Sequence, residues 1–451
     1  MNDVVVRGGT LVTPAGRMRA DLAIEGGRIR EVAPEIAGGR DEIDARGLLV
    51  LPGVIDVHLH FNEPGHTEWE GGATGSRAFA AGGGTLFFDM PLNSTPCTVN
   101  AREFDRKRAA LEASSITDFA LWGGLIPGGV PDLAEMAARG VVGFKAFMCN
   151  SGLREFPRAD DLTLLDGMRE AARLGVPVAV HAESDEITRG LTERATTRDV
   201  RAFLASRPIV AELEAIQRAL LLAREAGASL HIVHISSGRG VVLAAEARAN
   251  GVDVSIETCA HYLFFTDDDF ARLGTVAKCA PPLRPADQQR ALWDALLAGH
   301  VDIVASDHSP SPPSMKEGDV MSAWGGVAGV QSTLAVLLEK GCHERGLPVE
   351  RVASLLAAAP ARRFGIRDKG ALEVGLDADI VLVEYDRRFT LGPEDLHQRY
   401  KLSPYIGATF RGLVRRTIRR GETIFADGHI TASGGSTLVR PTRLEQSWPT
   451  S

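Results

Sequence analysis

Apolar and polar residues alternate in short bursts at the start of the chain. Val4–Val6 and Leu11-Val12 come first, followed by Asp21-Leu-Ala-Ile-Glu-Gly-Gly-Arg-Ile-Arg-Glu-Val32. Side chains alternate between the two faces of an extended strand, so this pattern predicts strands, with Gly26-Gly27 as a tight turn. The same pattern returns in Asp379-Ile-Val-Leu-Val-Glu-Tyr385 and from Thr409 to Phe425. The two ends, residues 1–51 and 366–438, are therefore expected to build one small β-sandwich. After about Asp427 the chain turns polar and rich in Gly, Ser, Thr and Pro. That composition predicts a loosely held tail, with 439–451 as its polar end.

Between these ends, apolar runs of strand length alternate with stretches of helical period. Eight runs stand out: Leu49–His60, Thr85–Met90, Asp118–Ile126, Val141–Met148, Pro177–Glu183, Ser229–Ser236, Val252–His261 and Val301–His308. Ile209–Ala226, with Leu213, Ile216, Leu220 and Ala223 on one face, has the length of a crossover helix. Eight strand–helix units predict an α/β fold, a (β/α)8 barrel over residues 52–365. A doubly wound open sheet shares the pattern and is the alternative.

Composition narrows the function. The chain has 451 residues with 44% hydrophobic content, enough for a large core. Lys and Arg number 50 against 58 Asp and Glu, a net charge of −8, which argues against a nucleic-acid partner. No apolar stretch is long enough to span a bilayer and no basic leader opens the chain, so neither a membrane nor export is expected and the cytoplasm is. Five cysteines without a CxxC spacing suggest neither a disulfide framework nor a thiolate metal site.

The histidines carry more. His58 and His60 close the first run, His181 ends the fifth, His234 the sixth and Asp307 the eighth. In a (β/α)8 barrel the carboxyl ends of the strands meet at one mouth, so these residues would become neighbours. Spacing of two puts His58 and His60 on one face of their strand. His231 lies three residues before His234 and faces the other way, and His234 is nearer the strand end. Each histidine alone is more often structural than a metal ligand, and Asp307 alone is as readily a turn or N-cap residue as a catalytic one; their placement at successive strand ends favours chemistry. Lys145, in Gly143-Phe-Lys-Ala-Phe-Met148, sits inside an apolar strand. Burial and nearby cations would leave its amine neutral and able to take up carbon dioxide as a carbamate, an anion that can bridge two metal ions. A carbamate in place of an ammonium also removes two units of positive charge from the site.

At these positions the chain resembles the cyclic amidohydrolases of the amidohydrolase superfamily, the group holding dihydroorotase, dihydropyrimidinase, hydantoinase and allantoinase. The resemblance implies that His58 and His60 hold a more buried divalent ion, His181 and His234 a more exposed one, and carboxylated Lys145 bridges them. Asp307 would be both a ligand and the general acid and base. Zinc is the expected metal, with manganese, cobalt or iron as alternatives. Within the group, position 62 is Asn rather than the arginine of dihydroorotases, and position 150 is Asn rather than the tyrosine of dihydropyrimidinases. Asn62-Glu-Pro-Gly65, Phe88-Asp-Met-Pro-Leu-Asn93, Lys278-Cys-Ala-Pro-Pro-Leu-Arg284, Ser306-Asp-His-Ser-Pro310 and Ala323-Trp-Gly-Gly-Val-Ala-Gly-Val-Gln331 are similar to bacterial allantoinases in wording and order. Ala260 stands where many relatives have proline. The resemblance thus implies opening of the hydantoin ring of allantoin, a homotetramer, and substrate contacts at Asn62, Asn93, Asn150, Ala280 and Gly325. The rivals are a hydantoinase or dihydropyrimidinase of broad specificity and a non-catalytic scaffold that keeps the fold.

Overall fold

The computed structural model describes residues 2–442. Eight parallel strands form a barrel: β1 (Val54–Leu59), β2 (Gly84–Asp89), β3 (Asp118–Leu121, continued by Gly123–Gly124), β4 (Phe144–Phe147), β5 (Val178–His181), β6 (Leu230–Ile232), β7 (Val254–Cys259) and β8 (Ile303–Ala305). These strands are buried almost throughout, which is why they read as continuous apolar runs. The ring closes between its first and last members. His60 donates its backbone N–H to the His308 carbonyl at 2.8 Å, and Asp307 donates to the His58 carbonyl at 2.9 Å. The open-sheet alternative is thereby excluded.

The first predicted run is two strands, not one. Leu49–Pro52 pairs with Thr10-Leu11 and with Ile380–Val383, in the other sheet, and only Val54–Leu59 enters the barrel. Pro52-Gly53 marks the break. A Cβ on Gly53 would lie 2.4 Å from the Thr85 hydroxyl, so the crossing from sheet to barrel passes too close to β2 for any side chain.

Strands from both chain ends join one nine-stranded sheet. Its order is His429–Ile430, Glu422–Ala426, Thr409–Arg419, Ile380–Thr390, Leu49–Pro52, Asn2–Thr13, Gly16–Glu25, Arg28–Ala33, with Gly39–Asp44 beside Asn2–Thr13. Gly26 and Gly27, both at positive φ, make the predicted turn. Val6, Leu22, Ile24, Val50, Ile380, Leu382 and Ile418 share one buried cluster, so residues from both termini form its core. Lys369 ties sheet to barrel: its buried Nζ lies 2.7 Å from Asp379, 2.9 Å from Asp118 and 3.0 Å from Asp377.

Two further expectations are corrected. The helix Ile209–Ala226 forms as predicted, but its buried face is Ala211, Glu212, Ala215, Ile216, Ala219, Leu220 and Ala223, with Leu213 at its margin. The polar segment after Asp427 is held rather than loose, up to the last described residue. Thr437 donates its backbone N–H to the Asp118 carboxylate at 3.0 Å, and Phe119 exchanges backbone bonds with Thr437 and Val439. Backbone donors and acceptors, invisible to hydropathy, do this. Residues 443–451 of the expected tail lie outside the described residues. Among the described residues no helix is long and apolar enough to cross a membrane.

Candidate active site

A cavity of about 530 Å³ opens at the carboxyl ends of the barrel strands, lined by His58, His60, His181, His234 and Asp307 among others. His58 and His60 extend from β1 on the same face, as the HxH spacing requires. Their Nε2 atoms lie equally far, 3.4 Å, from Asp307 Oδ1, across the seam that closes the barrel. Each ring is fixed from behind: His58 Nδ1 is 2.8 Å from Glu257 Oε1, and His60 Nδ1 is 2.6 Å from the Leu92 carbonyl. Nδ1 therefore donates and Nε2 keeps a lone pair facing the cavity, the tautomer a metal ligand needs.

His181 is held the opposite way round. Its Nε2 is 2.8 Å from Glu183 Oε2, and that carboxylate is anchored by Arg207 at 2.6 Å, so Nδ1 is the nitrogen left for a ligand. Phe147 stacks on the ring at 4.5 Å between centroids. His234 packs edge-on against His181 at 4.6 Å and lies tilted against His58 at 5.2 Å. Among the described residues its buried Nδ1 has no hydrogen-bond partner. His231 is fully engaged elsewhere, with Nδ1 on Ser255 and Nε2 on Glu257. His234 and Asp307 both adopt positive φ, 39° and 44°, a costly backbone state for such residues that turns their side chains inward at the ends of β6 and β8.

Beneath them lies Lys145, wholly buried, its Nζ without any hydrogen-bond partner among the described residues. Burial pulls its ammonium down to about 8, against the opposing pull of Glu257 and Asp307. Burial likewise lowers His58, His181 and His234, the last the furthest because His181 and Lys145 add to it. Burial works to raise Asp307, but His58 and His60 outweigh it and hold the carboxyl below its ordinary range. The result is a group of neutral imidazoles around an ionised carboxylate, with an orphaned amine among them. That donor set suits divalent ions, and the unpartnered Lys145 Nζ and His234 Nδ1 are what a site built around an absent group leaves behind. Cys149 and Cys259 also approach this region, but burial pushes the Cys149 thiol up to about 12 and Cys259 well above its ordinary value, so both stay protonated.

Glu257, on β7, was missed by sequence reasoning. It is fully buried and accepts from His58 Nδ1, from His231 Nε2 at 2.9 Å and from the His234 N–H at 2.9 Å. Burial works to raise it, and His58 and His231 bring it down to about 2. The signal was a lone carboxylate inside the apolar run Val254–Cys259, which only a partner can keep buried.

Of the expected substrate contacts, Asn93, Asn150, Ala280 and Gly325 line the cavity. Asn62 does not. It is fully buried behind the wall, where its side-chain oxygen accepts from Asn93 Nδ2 at 3.3 Å. Its motif position beside His60 placed it near the site, and its positive φ of 63° turns the side chain away.

The amidohydrolase family model matches residues 49–424. The chain belongs to the amidohydrolase family, whose members are metal-dependent hydrolases. It is 63% identical over 445 residues to the allantoinase of Solibacter usitatus, covering 98% of this chain and 97% of that one. It is 53% identical to the allantoinase of Deinococcus radiodurans, covering 98% and 99% of the two chains. Among solved structures, L-hydantoinase (dihydropyrimidinase) from Arthrobacter aurescens superposes with a TM-score of 0.95 at 34% identity, covering 98% of this chain and all of that one.

Proposed function

We propose that this protein hydrolyses the hydantoin ring of allantoin to give allantoate. The observation that carries the reading is the gathering of His58, His60, His181, His234 and Asp307 around one cavity, over the unpartnered Lys145 amine, in a chain so similar along its length to proteins named allantoinase. His58 and His60 would hold one divalent ion and His181 and His234 a second, with Lys145 as a carbamate and Asp307 completing the set. Zinc is the metal this donor set favours. Such ions supply Lewis acidity and make water a nucleophile near neutral pH.

The chain's own residues do the rest. Asp307, ionised and 3.4 Å from both His58 and His60, takes the proton of the attacking water. As the carbonyl carbon gains that oxygen, the ring C–N bond breaks and Asp307 returns the proton to the departing nitrogen. Glu257 and Glu183 keep the imidazoles of His58 and His181 in register throughout. Asn93, Ala280 and Gly325 border the space for the ring, with Asn62 behind Asn93. By resemblance the working assembly is a homotetramer.

The test is to incubate purified, metal-analysed protein with each allantoin enantiomer, and with hydantoin and dihydrouracil, and follow the ring-opened products. Allantoate as the preferred product supports the reading. Faster opening of hydantoin or dihydrouracil would replace it with the hydantoinase rival, and a metal-free, inactive protein with the scaffold.

A further inference from the structure

The loop Met321–Gly326 lines the cavity, and two lysines that the chemistry above does not use grip it, Lys278 from within the cavity lining and Lys316 from behind. Lys278 Nζ donates to the Ala323 carbonyl at 2.5 Å and to the Met321 carbonyl at 3.2 Å. Lys316 Nζ donates to the Trp324 carbonyl at 3.0 Å and to the Gly326 carbonyl at 2.7 Å. Both side chains are at least nine-tenths buried, and among the described residues neither has a carboxylate within ion-pair distance. Burying two ammonium groups side by side without counter-ions is expensive, and four carbonyl oxygens of one short loop offset it, together with the Phe203 ring 4.9 Å from Lys278 Nζ.

The loop is also pinned from its other side. Gly326, at φ 143°, passes so close to the strand end carrying Asp307 that a Cβ would sit 2.2 Å from the Ser309 carbonyl oxygen. Ser309 in turn donates its N–H to the Val327 carbonyl at 3.0 Å. Gly325 therefore has a fixed place beside the reacting groups.

The peptide joining Trp324 to Gly325 is trans, so its C=O and N–H point in opposite directions. Lys316 lies on the carbonyl side and outside the cavity lining, whereas Gly325 lines the cavity. Among the described residues the Gly325 N–H has no hydrogen-bond partner. A cation on a peptide oxygen polarises the whole unit and makes its N–H a stronger donor. We infer that Lys316, with Lys278 as its brace, is a positioning residue that fixes and polarises the Trp324–Gly325 peptide as a hydrogen-bond donor to the substrate carbonyl that is not attacked. This rests on the reading that the cavity takes a cyclic amide.

A donor to the non-reacting carbonyl contributes to binding equally before and during reaction, so its loss raises KM and spares kcat. Burial, with Lys278 adding to it, pulls Lys316 down to about 7, so the comparison is made below that pH. In Lys316→Met, KM for allantoin is expected to rise on the order of tenfold, with kcat and bound metal unchanged, and Lys316→Arg is expected to recover most of the loss. A folded Lys316→Met with native KM, or one that loses kcat while KM stays native, overturns the inference. A second pair of variants leaves the lysines untouched. Among the described residues nothing lies within 4 Å of a Cβ on Gly325, so both Gly325→Ala and Gly325→Pro add bulk at the cavity without a clash inside the protein, but only Pro removes the N–H, and KM is expected to rise several-fold further in Gly325→Pro than in Gly325→Ala. Equal KM in those two overturns the inference even if Lys316→Met does not fold. If the native enzyme opens no cyclic amide, the functional reading fails before any variant is compared.

Discussion

Glu257 and His58, 199 residues apart in sequence, meet at 2.8 Å inside the barrel, and the same carboxylate takes the His234 N–H. One side chain thus orients a histidine expected at the buried metal and the backbone of another expected at the exposed metal. Glu257→Gln preserves shape but removes the charge that fixes the His58 tautomer. Metal affinity is expected to fall roughly 10- to 100-fold, read by competition with a chelator. Unchanged affinity would mean that the His58 ring is held by packing alone.

Asp307→Asn leaves the Asp307–His58 backbone bond that helps close the barrel, so the fold is expected to survive. Proton transfer is not. Turnover should fall by about 10² to 10⁴, the usual worth of a positioned acid and base. Retention of native turnover with metal bound would remove Asp307 from the mechanism.

Lys145 predicts effects of opposite sign on stability and activity. Without metal, a buried ammonium with no hydrogen-bond partner among the described residues, facing only the Phe147 ring at 5.1 Å, is a cost, so metal-free Lys145→Met should be more stable than its metal-free parent by about 1–3 kcal/mol. It should nonetheless bind less metal and open no ring. Thermal melts and elemental analysis of the two proteins check both halves, and a destabilised variant would show that the amine has a partner it lacks in this structure.

Lys369 bears on stability alone. Burial works to lower it, but Asp379, Asp118 and Asp377 outweigh that and raise it above the ordinary lysine range. The stability it confers is fully present below the unfolded lysine value near 10.4 and is lost only as pH rises through the raised folded value. At neutral pH Lys369→Met therefore leaves Asp379 without a cation and Asp118 and Asp377 with only Arg420 and Arg28, and should cost about 3–5 kcal/mol, visible as a lower denaturation midpoint with little change in KM.

The barrel was legible because each strand is buried on both faces, which writes it into the sequence as an apolar run. The residues facing the cavity were legible because they end those runs. Hydropathy could not show Pro52-Gly53 as the crossing between two sheets, since Leu49–Leu51 before it and Val54-Ile55 after it are both apolar. Nor could it show how the last described residues are tied to β3, because main-chain bonds to Asp118 and Phe119 leave no trace in side-chain polarity. Asn62 and Glu257 erred in opposite directions: a motif neighbour turned outward, and an unremarked carboxylate turned out to hold three partners. Both depend on orientation within a buried layer, which follows from the strands that pack beside it.

The cavity's floor straddles the seam between β1 and β8, where Ser306 reaches back to Asp56 across 250 positions of chain. A partly synthesised or partly folded polypeptide thus has no complete cage to offer an ion. Metal uptake should be among the last events of maturation, and it would serve as a clock for the moment the ring of strands shuts.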